Sequence, residues 1–160
     1  LLEPEFPANT CNFGRTCGAR GSSLHLIEPL GFSLSEKALK RAGMDYWKDL
    51  DVHTYVNFEE FRKAHPGAKV WMATTKAKRV YSDVSFGADD YIMFGKESAG
   101  IPEEILVEYE ETCIRIPMLP AIRSLNLSNS VAVVLYEALR QNGFGGMQRE
   151  GDLHRLHWKC

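Results

Sequence analysis

Short apolar runs, each about as long as one strand, alternate along the chain with amphipathic segments that open on a capping residue. Leu24-His25-Leu26-Ile27 predicts a strand, and Ser35 predicts the cap of a helix that runs through Ala42 and stops at Gly43. Val52 to Val56 predicts a short strand, after which Asn57 caps a helix over Phe58 to Ala64 that Pro66-Gly67 closes. Val70 to Thr74 is β-branched and aromatic, the pattern of a buried strand, and Tyr91 to Phe94 is another, ending at Gly95. Pro102 suits the first position of a helix, with Glu103 and Glu104 favouring its dipole. Ile114 to Ile116 predicts the last strand, and a long helix follows from Ser128 to Asn142, ended by Gly143. Strands that are apolar throughout and alternate with helices predict an α/β domain, its mostly parallel sheet covered by helices on both faces. Residues 144–160 break the pattern and read as a tail.

The last helix carries a second message. Leu127, Val131, Val134, Leu135 and Ala138 form one apolar stripe, while Ala132, Val133 and Tyr136 cover the opposite side. A helix apolar nearly all round buries both faces, and in a domain this small the second face is expected to meet another subunit. A helix simply central to the monomer is the plainer alternative.

Composition narrows the function classes. With 160 residues, 44% hydrophobic and 25% charged, the chain is an ordinary globular domain and not a disordered or fibrous one. No apolar run reaches the roughly 20 residues of a membrane helix. A net charge of −2 argues against a protein that holds nucleic acid by bulk charge. Charge is uneven, however: residues 1–80 hold 12 basic and 9 acidic groups, residues 81–160 hold 7 and 12. The cations cluster at Lys37, Lys40 and Arg41 and at Lys76, Lys78 and Arg79, the residues to expect against any polyanion. Cys11, Cys17, Cys113 and Cys160 form no CxxC pair, which favours reduced thiols and a cytosolic setting. The sequence opens on Leu1, as if inside a strand, which leaves an organellar location open.

Neither a GxxxxGK[ST] loop nor a GxGxxG turn is present. His154, His157 and Cys160 supply three ligand types without a fourth nearby, so no metal site is expected. Three other segments carry candidate chemistry. Around residue 9 a helix starts with Asn9 at or near its cap, and Asn12 and Arg15 share one face suited to phosphate or ribose. The run FGKESAGIP (residues 94–102) leads from a strand through two glycines to a helix start, where backbone can approach a ligand. Residues 116–130 carry two prolines and then crowd Ser124, Asn126, Ser128, Asn129 and Ser130 at the start of an apolar helix, more than capping requires.

Taken together these residues resemble a known family. Glu3-Pro4-Glu5-x-Pro7-x-Asn9-Thr10-x-Asn12-x-x-Arg15, then Leu24 to Phe32, then Arg41-Ala42-Gly43-Met44-Asp45-Tyr46, resemble the TrmL/YibK-like branch of the SPOUT methyltransferases. FGKESAGIP and the stretch from Ile114 to Gln141 are similar to that superfamily's second and third motifs, and the likeness runs from Leu1 to about Gly146. It implies one domain over residues 1–146 with a tail at 147–160, a deep C-terminal trefoil knot, a homodimer, and S-adenosylmethionine bound in the knot. It further implies methyl transfer to the ribose 2′-hydroxyl of a tRNA wobble nucleotide.

Motif positions assign the cofactor pocket to Ala73, Gly95, Ile116, Ser124, Leu125 and Asn126. They assign catalysis to Arg15, with Asn12 and Glu97 shaping the site. Asn9, Arg123 and Asn129 are expected to meet substrate, and Tyr136 the second subunit. Arg15 takes the position to which the superfamily gives the general-base role, although a guanidinium with a pKa above about 12 holds its proton and is better suited to orienting a phosphate. The family pattern has glycine where Cys11 stands, so a side chain there either crowds the ribose or is simply tolerated. The alternatives are a 2′-O-methyltransferase of ribosomal or another RNA, and a cofactor-binding module that Cys11 has robbed of turnover.

Overall fold

The computed structural model describes residues 1–19, 21–43 and 45–159. Its elements are α1 (Pro7–Gly18), β1 (Leu24–Ile27), α2 (Glu36–Arg41), β2 (Val52–Tyr55), α3 (Phe58–Ala64), β3 (Val70–Ala73), β4 (Tyr91–Phe94), α4 (Glu103–Glu108), β5 (Cys113–Ile114) and α5 (Leu127–Gln141). β1 pairs with β2, and β3 lies between β4 and β5, all in parallel. The first three residues join the two groups. Leu2 N donates to Phe94 O at 2.8 Å, Glu3 N to Ile27 O at 2.8 Å, and Ile27 N to Leu1 O at 2.9 Å. The order across the sheet is therefore β2, β1, residues 1–3, β4, β3, β5.

Alternation within each strand sorts the core into two layers. Val70 and Met72 of β3 and Met93 of β4 face Phe61 of α3, Leu106 of α4 and Ile101. Trp71 of β3 and Phe94 of β4 point the other way, against Phe13 of α1 and Val131 and Val134 of α5. Helices thus cover both faces of the parallel sheet, as the apolar strands predict. A third cluster, Cys17, Leu24, Leu26 and Trp47, seats a short 3-10 turn, Asp45–Asp49, against β1.

Local signals set most boundaries. Ser35 Oγ accepts Ala38 N at 3.3 Å, and Asn57 Oδ1 accepts Glu60 N at 2.9 Å. Each such cap is worth about 1 kcal/mol. Three expectations shift. α1 begins at Pro7 with Phe6 before it, so Asn9 lies inside the first turn and is not the cap. Pro102 stays extended at ψ 142°, and α4 starts one residue later. α5 starts at Leu127 because Asn126 is its cap, its Oδ1 accepting Ser128 N at 2.9 Å and Asn129 N at 3.4 Å.

The chain makes one unusual crossing. Thr74 N donates to Ile114 O, while on the far side Arg115 N donates to Arg79 O and Tyr81 N to Arg115 O, each at 2.9 Å. Ile114 and Arg115 therefore lie between β3 and residues 79–81, which residues 74–78 connect. After Gln141 no regular element follows among the described residues, and residues 148–159 are exposed. Among the described residues no helix is long and apolar enough to cross a membrane.

Candidate functional site

A cavity of about 690 Å³ opens at the C-terminal ends of β3, β4 and β5, where a parallel sheet leaves room between its loops. Its walls come from the three segments with candidate chemistry. Ala73 and Gly95 end their strands into it, Ile116 follows β5, and Ser124, Leu125 and Asn126 close it from the approach to α5. All six residues assigned to a cofactor are brought together there. Asn9 and Arg123 also line it. Asn129 is exposed on the first turn of α5.

The crossing and the glycines shape this space. A Cβ on Gly95 would collide with the carbonyl carbon of Gly100 and the amide of Ile101, so only glycine lets the 96–100 loop fold back on its strand. That loop is closed by Gly100 N donating to Lys96 O at 2.8 Å, with Gly100 at φ +73°. At the rim Lys76 pairs with Glu103 at 2.9 Å, which holds the Glu103 carboxyl below its usual range.

Glu97 lines the cavity, but both of its carboxylate oxygens are already engaged. Its Oε2 accepts Glu5 N at 2.8 Å, and its Oε1 accepts Asn9 Nδ2 at 3.1 Å and Phe6 N at 3.3 Å. Partial burial works against the charge, but these donors prevail and hold the carboxyl below its usual range. Glu97 therefore satisfies the free N–H groups at the start of α1 and ties that helix to the 96–100 loop. Asn9 completes the link, its Oδ1 accepting Asn126 Nδ2 at 3.3 Å. The crowd of Ser and Asn before α5 is largely spent on capping: Ser128 Oγ donates to Asn126 Oδ1 and Ser130 Oγ to Asn126 O. Of these five residues only Ser124 and the Asn129 side chain make no hydrogen bond among the described residues; the others find their partners locally, in the tight approach to α5.

Asn12 and Arg15 share the exposed face of α1, as their spacing predicts, but neither lines the cavity of its own chain. The Arg15 guanidinium sits 5.2 Å over the Tyr46 ring. The Cys11 side chain is turned toward Tyr46, with Sγ 2.8 Å from the phenol oxygen. Tyr46 in turn donates to Cys11 O. Burial and the Cys11 contact push the Tyr46 phenol up to about 12, with Arg15 opposing.

Sequence reasoning missed Thr74 and Thr75 in the cavity wall, and Glu5 as the partner of the 96–98 segment, while Met118 and Ser130 fall in the 116–130 run it singled out. The paired Thr after a buried strand is the one signal that pointed to the two threonines. Of the two basic clusters, Lys76, Lys78 and Arg79 are matched by Glu103, Glu110 and Glu111. Among the described residues no group of His, Cys, Asp and Glu is placed to hold a metal, and Cys160 lies outside them. Val133 and Tyr136 stand 37% and 42% exposed on the outer side of α5, so the second apolar face of that helix is uncovered in the single chain.

Comparison with known proteins gives a consistent picture. The model of the SpoU rRNA Methylase family matches residues 1–136. A tRNA (cytidine(34)-2′-O)-methyltransferase of Saccharophagus degradans is 49% identical over 91% of this chain and 96% of its own. The protein of the same name from Aeromonas hydrophila is 47% identical over 94% and 97%. A solved structure described as giving insight into 2-OH methylation of C/U34 on tRNA superposes with TM-score 0.82 at 44% identity, covering 88% of this chain and 92% of that one. An AdoMet-bound rRNA methyltransferase from Sinorhizobium meliloti superposes at 0.74 with 25% identity, over 87% of this chain and 54% of that one.

Proposed function

Because this chain belongs to the SpoU rRNA methylase family, we propose that it is a tRNA 2′-O-methyltransferase that modifies the ribose of nucleotide 34. The observation that carries this reading is the cavity at the strand ends, in which all six residues of the expected cofactor pocket converge. Its lining fits S-adenosylmethionine: about 690 Å³ suits a ligand of that size, and Gly95 presents backbone with no side chain in the way. Ala73, Ile116 and Leu125 offer apolar walls, and the main chain beside Ser124 and Asn126 offers polar groups for an adenine edge. Bound there, the cofactor supplies an electrophilic sulfonium methyl carbon. The passage of Ile114 and Arg115 between β3 and residues 79–81 supports a threaded, knotted chain around it.

The protein's own groups position the acceptor. Asn9 and Arg123 border the cavity and are suited to hold a ribose and its phosphate. The planar guanidinium of Arg15 is suited to orient a phosphate and polarise the hydroxyl, and that is its role in this reading. Since Arg15 lies outside its own cavity, two copies paired across the Val133 and Tyr136 side of α5 would let Arg15 of one protomer serve the site of its partner. Reduced Cys11, Cys17 and Cys113 suit a cytosolic enzyme. The test is incubation with labelled S-adenosylmethionine and total RNA, tRNA and ribosomal RNA together, followed by mapping of the label. Label on the ribose of nucleotide 34 supports the reading; label on ribosomal RNA alone would move it to the other substrate.

A further inference from the structure

The two basic clusters differ in one physical respect. Cations on the α3, α4 and β5 side are matched: Arg62 with Glu108, Lys63 with Glu60, Lys78 with Glu110 and Arg79 with Glu111. On α2, Lys37, Lys40 and Arg41 stand exposed at i, i+3 and i+4, one face of the helix, and none has a carboxylate partner among the described residues. In a chain of net charge −2, three adjacent cations left unmatched are a concentrated positive field, while the matched ones are internally neutralised.

A cleft of about 390 Å³ runs beside this face, between the start of α1 and α2. Pro7, Phe32, Lys37 and Arg41 line it. The half-buried Phe32 ring gives it an aromatic wall. Pro7 is the first residue of α1, whose neighbours Phe6 and Asn9 line the cofactor cavity, so the two spaces meet at the start of the same helix.

We propose that single-stranded RNA beside the methylated nucleotide docks on α2, its phosphates on Lys37, Lys40 and Arg41 and one unpaired base against Phe32. Cations tracking a backbone and a ring receiving a base are the chemistry of single-strand recognition. The proposal rests on the RNA-methylating function above and adds a surface to it.

The experiment compares binding of an anticodon stem-loop RNA and of a fully paired RNA duplex across a salt series. Removing three phosphate contacts (K37A/K40A/R41A) should weaken stem-loop binding at least about tenfold and flatten the log–log salt slope by about 2. Phe32→Leu, which keeps bulk and removes the ring, should weaken the stem-loop several-fold and leave the duplex unchanged. The control K63A/K78A removes matched cations and should bind as wild type. Calorimetry with S-adenosylhomocysteine should be unaltered in every variant, which verifies the fold and the cavity. Wild-type affinity and slope in the triple variant would overturn the docking face, and equal loss on both RNAs in Phe32→Leu would overturn the base contact. Failure of the wild-type protein to bind or methylate the stem-loop would instead overturn the proposed function.

Discussion

Glu5 and Glu97 clasp each other's segments from opposite directions: Glu97 Oε2 accepts Glu5 N at 2.8 Å, and Glu5 Oε2 accepts Ser98 N at 2.8 Å. Lys96 adds an ion pair to Glu3 at 2.9 Å. Residues 3–6 are thereby fixed to the loop after β4, and with them the angle at which α1 leaves the cavity wall. Glu97→Gln removes the charge and replaces one acceptor with a donor facing N–H groups. Stability is expected to fall by about 1–2 kcal/mol in urea denaturation, and methyl transfer to fall more than affinity for S-adenosylhomocysteine. Since the Glu97 carboxyl is held below its ordinary 4.5, its contribution is present above that pH and fades as pH falls through the lowered value. Glu97→Gln should remove that part of the acid sensitivity.

Gly95→Ala tests the cradle. The added methyl meets backbone at Gly100 and Ile101, which cannot swing aside as a side-chain tip could. The variant should lose at least about tenfold in S-adenosylhomocysteine affinity by calorimetry and melt at a lower temperature, a backbone clash costing on the order of 2 kcal/mol or more. Unchanged affinity would detach Gly95 from the cavity's function.

Cys11→Gly addresses the one departure in the first motif. Its thiol faces Tyr46 and not the cavity, so crowding is relieved little by its removal. Methyl transfer should change less than about threefold, while a glycine inside α1 lowers stability by about 1 kcal/mol. A large gain in rate would return Cys11 to the substrate's path.

Arg15→Ala should abolish most methyl transfer at saturating cofactor with S-adenosylhomocysteine affinity intact. Mixing it with a second inactive variant that blocks the cavity (Ser124→Tyr) separates the two arrangements of the site. If Arg15 serves the partner's cavity, subunit exchange restores up to about half the wild-type activity per hybrid dimer, since one site is then intact. No recovery after verified exchange would assign Arg15 to its own chain.

A pH effect should come from the far end of the sheet. His25 Nδ1 meets Tyr55 Oη at 2.9 Å, Tyr55 Oη meets His65 Nε2 at 2.8 Å, and His65 Nδ1 meets Tyr91 Oη at 3.0 Å. Burial, then the neighbouring His53 and His65, pushes His25 from 6.5 down to about 4, with Asp51 opposing. The folded pKa lies below the unfolded one, so the unfolded chain takes the proton first. Stability from this group is full above about pH 6.5 and declines as pH falls toward about 4. Urea midpoints of wild type should fall more steeply over that window than those of His25→Gln.

Patterning along the chain determined every strand and helix from β1 onward to within about a residue or two, because Ser35, Asn57, Gly43 and Gly143 act on their own neighbours. The resemblance carried by the motifs, and no single side chain, pointed to part of the cavity wall, while Thr74 and Thr75 escaped it. Tertiary structure alone decided what those residues do. Glu97 carries the same carboxylate whether it meets substrate or the start of α1, and only the contact with residues 5–9, some ninety positions away, makes it a clasp. Lys76 and Lys37 are equal in sequence, but Glu103 pairs with one and no carboxylate among the described residues pairs with the other. Local interactions are written in order along the chain; which charges find partners depends on distances that exist only after the sheet has closed.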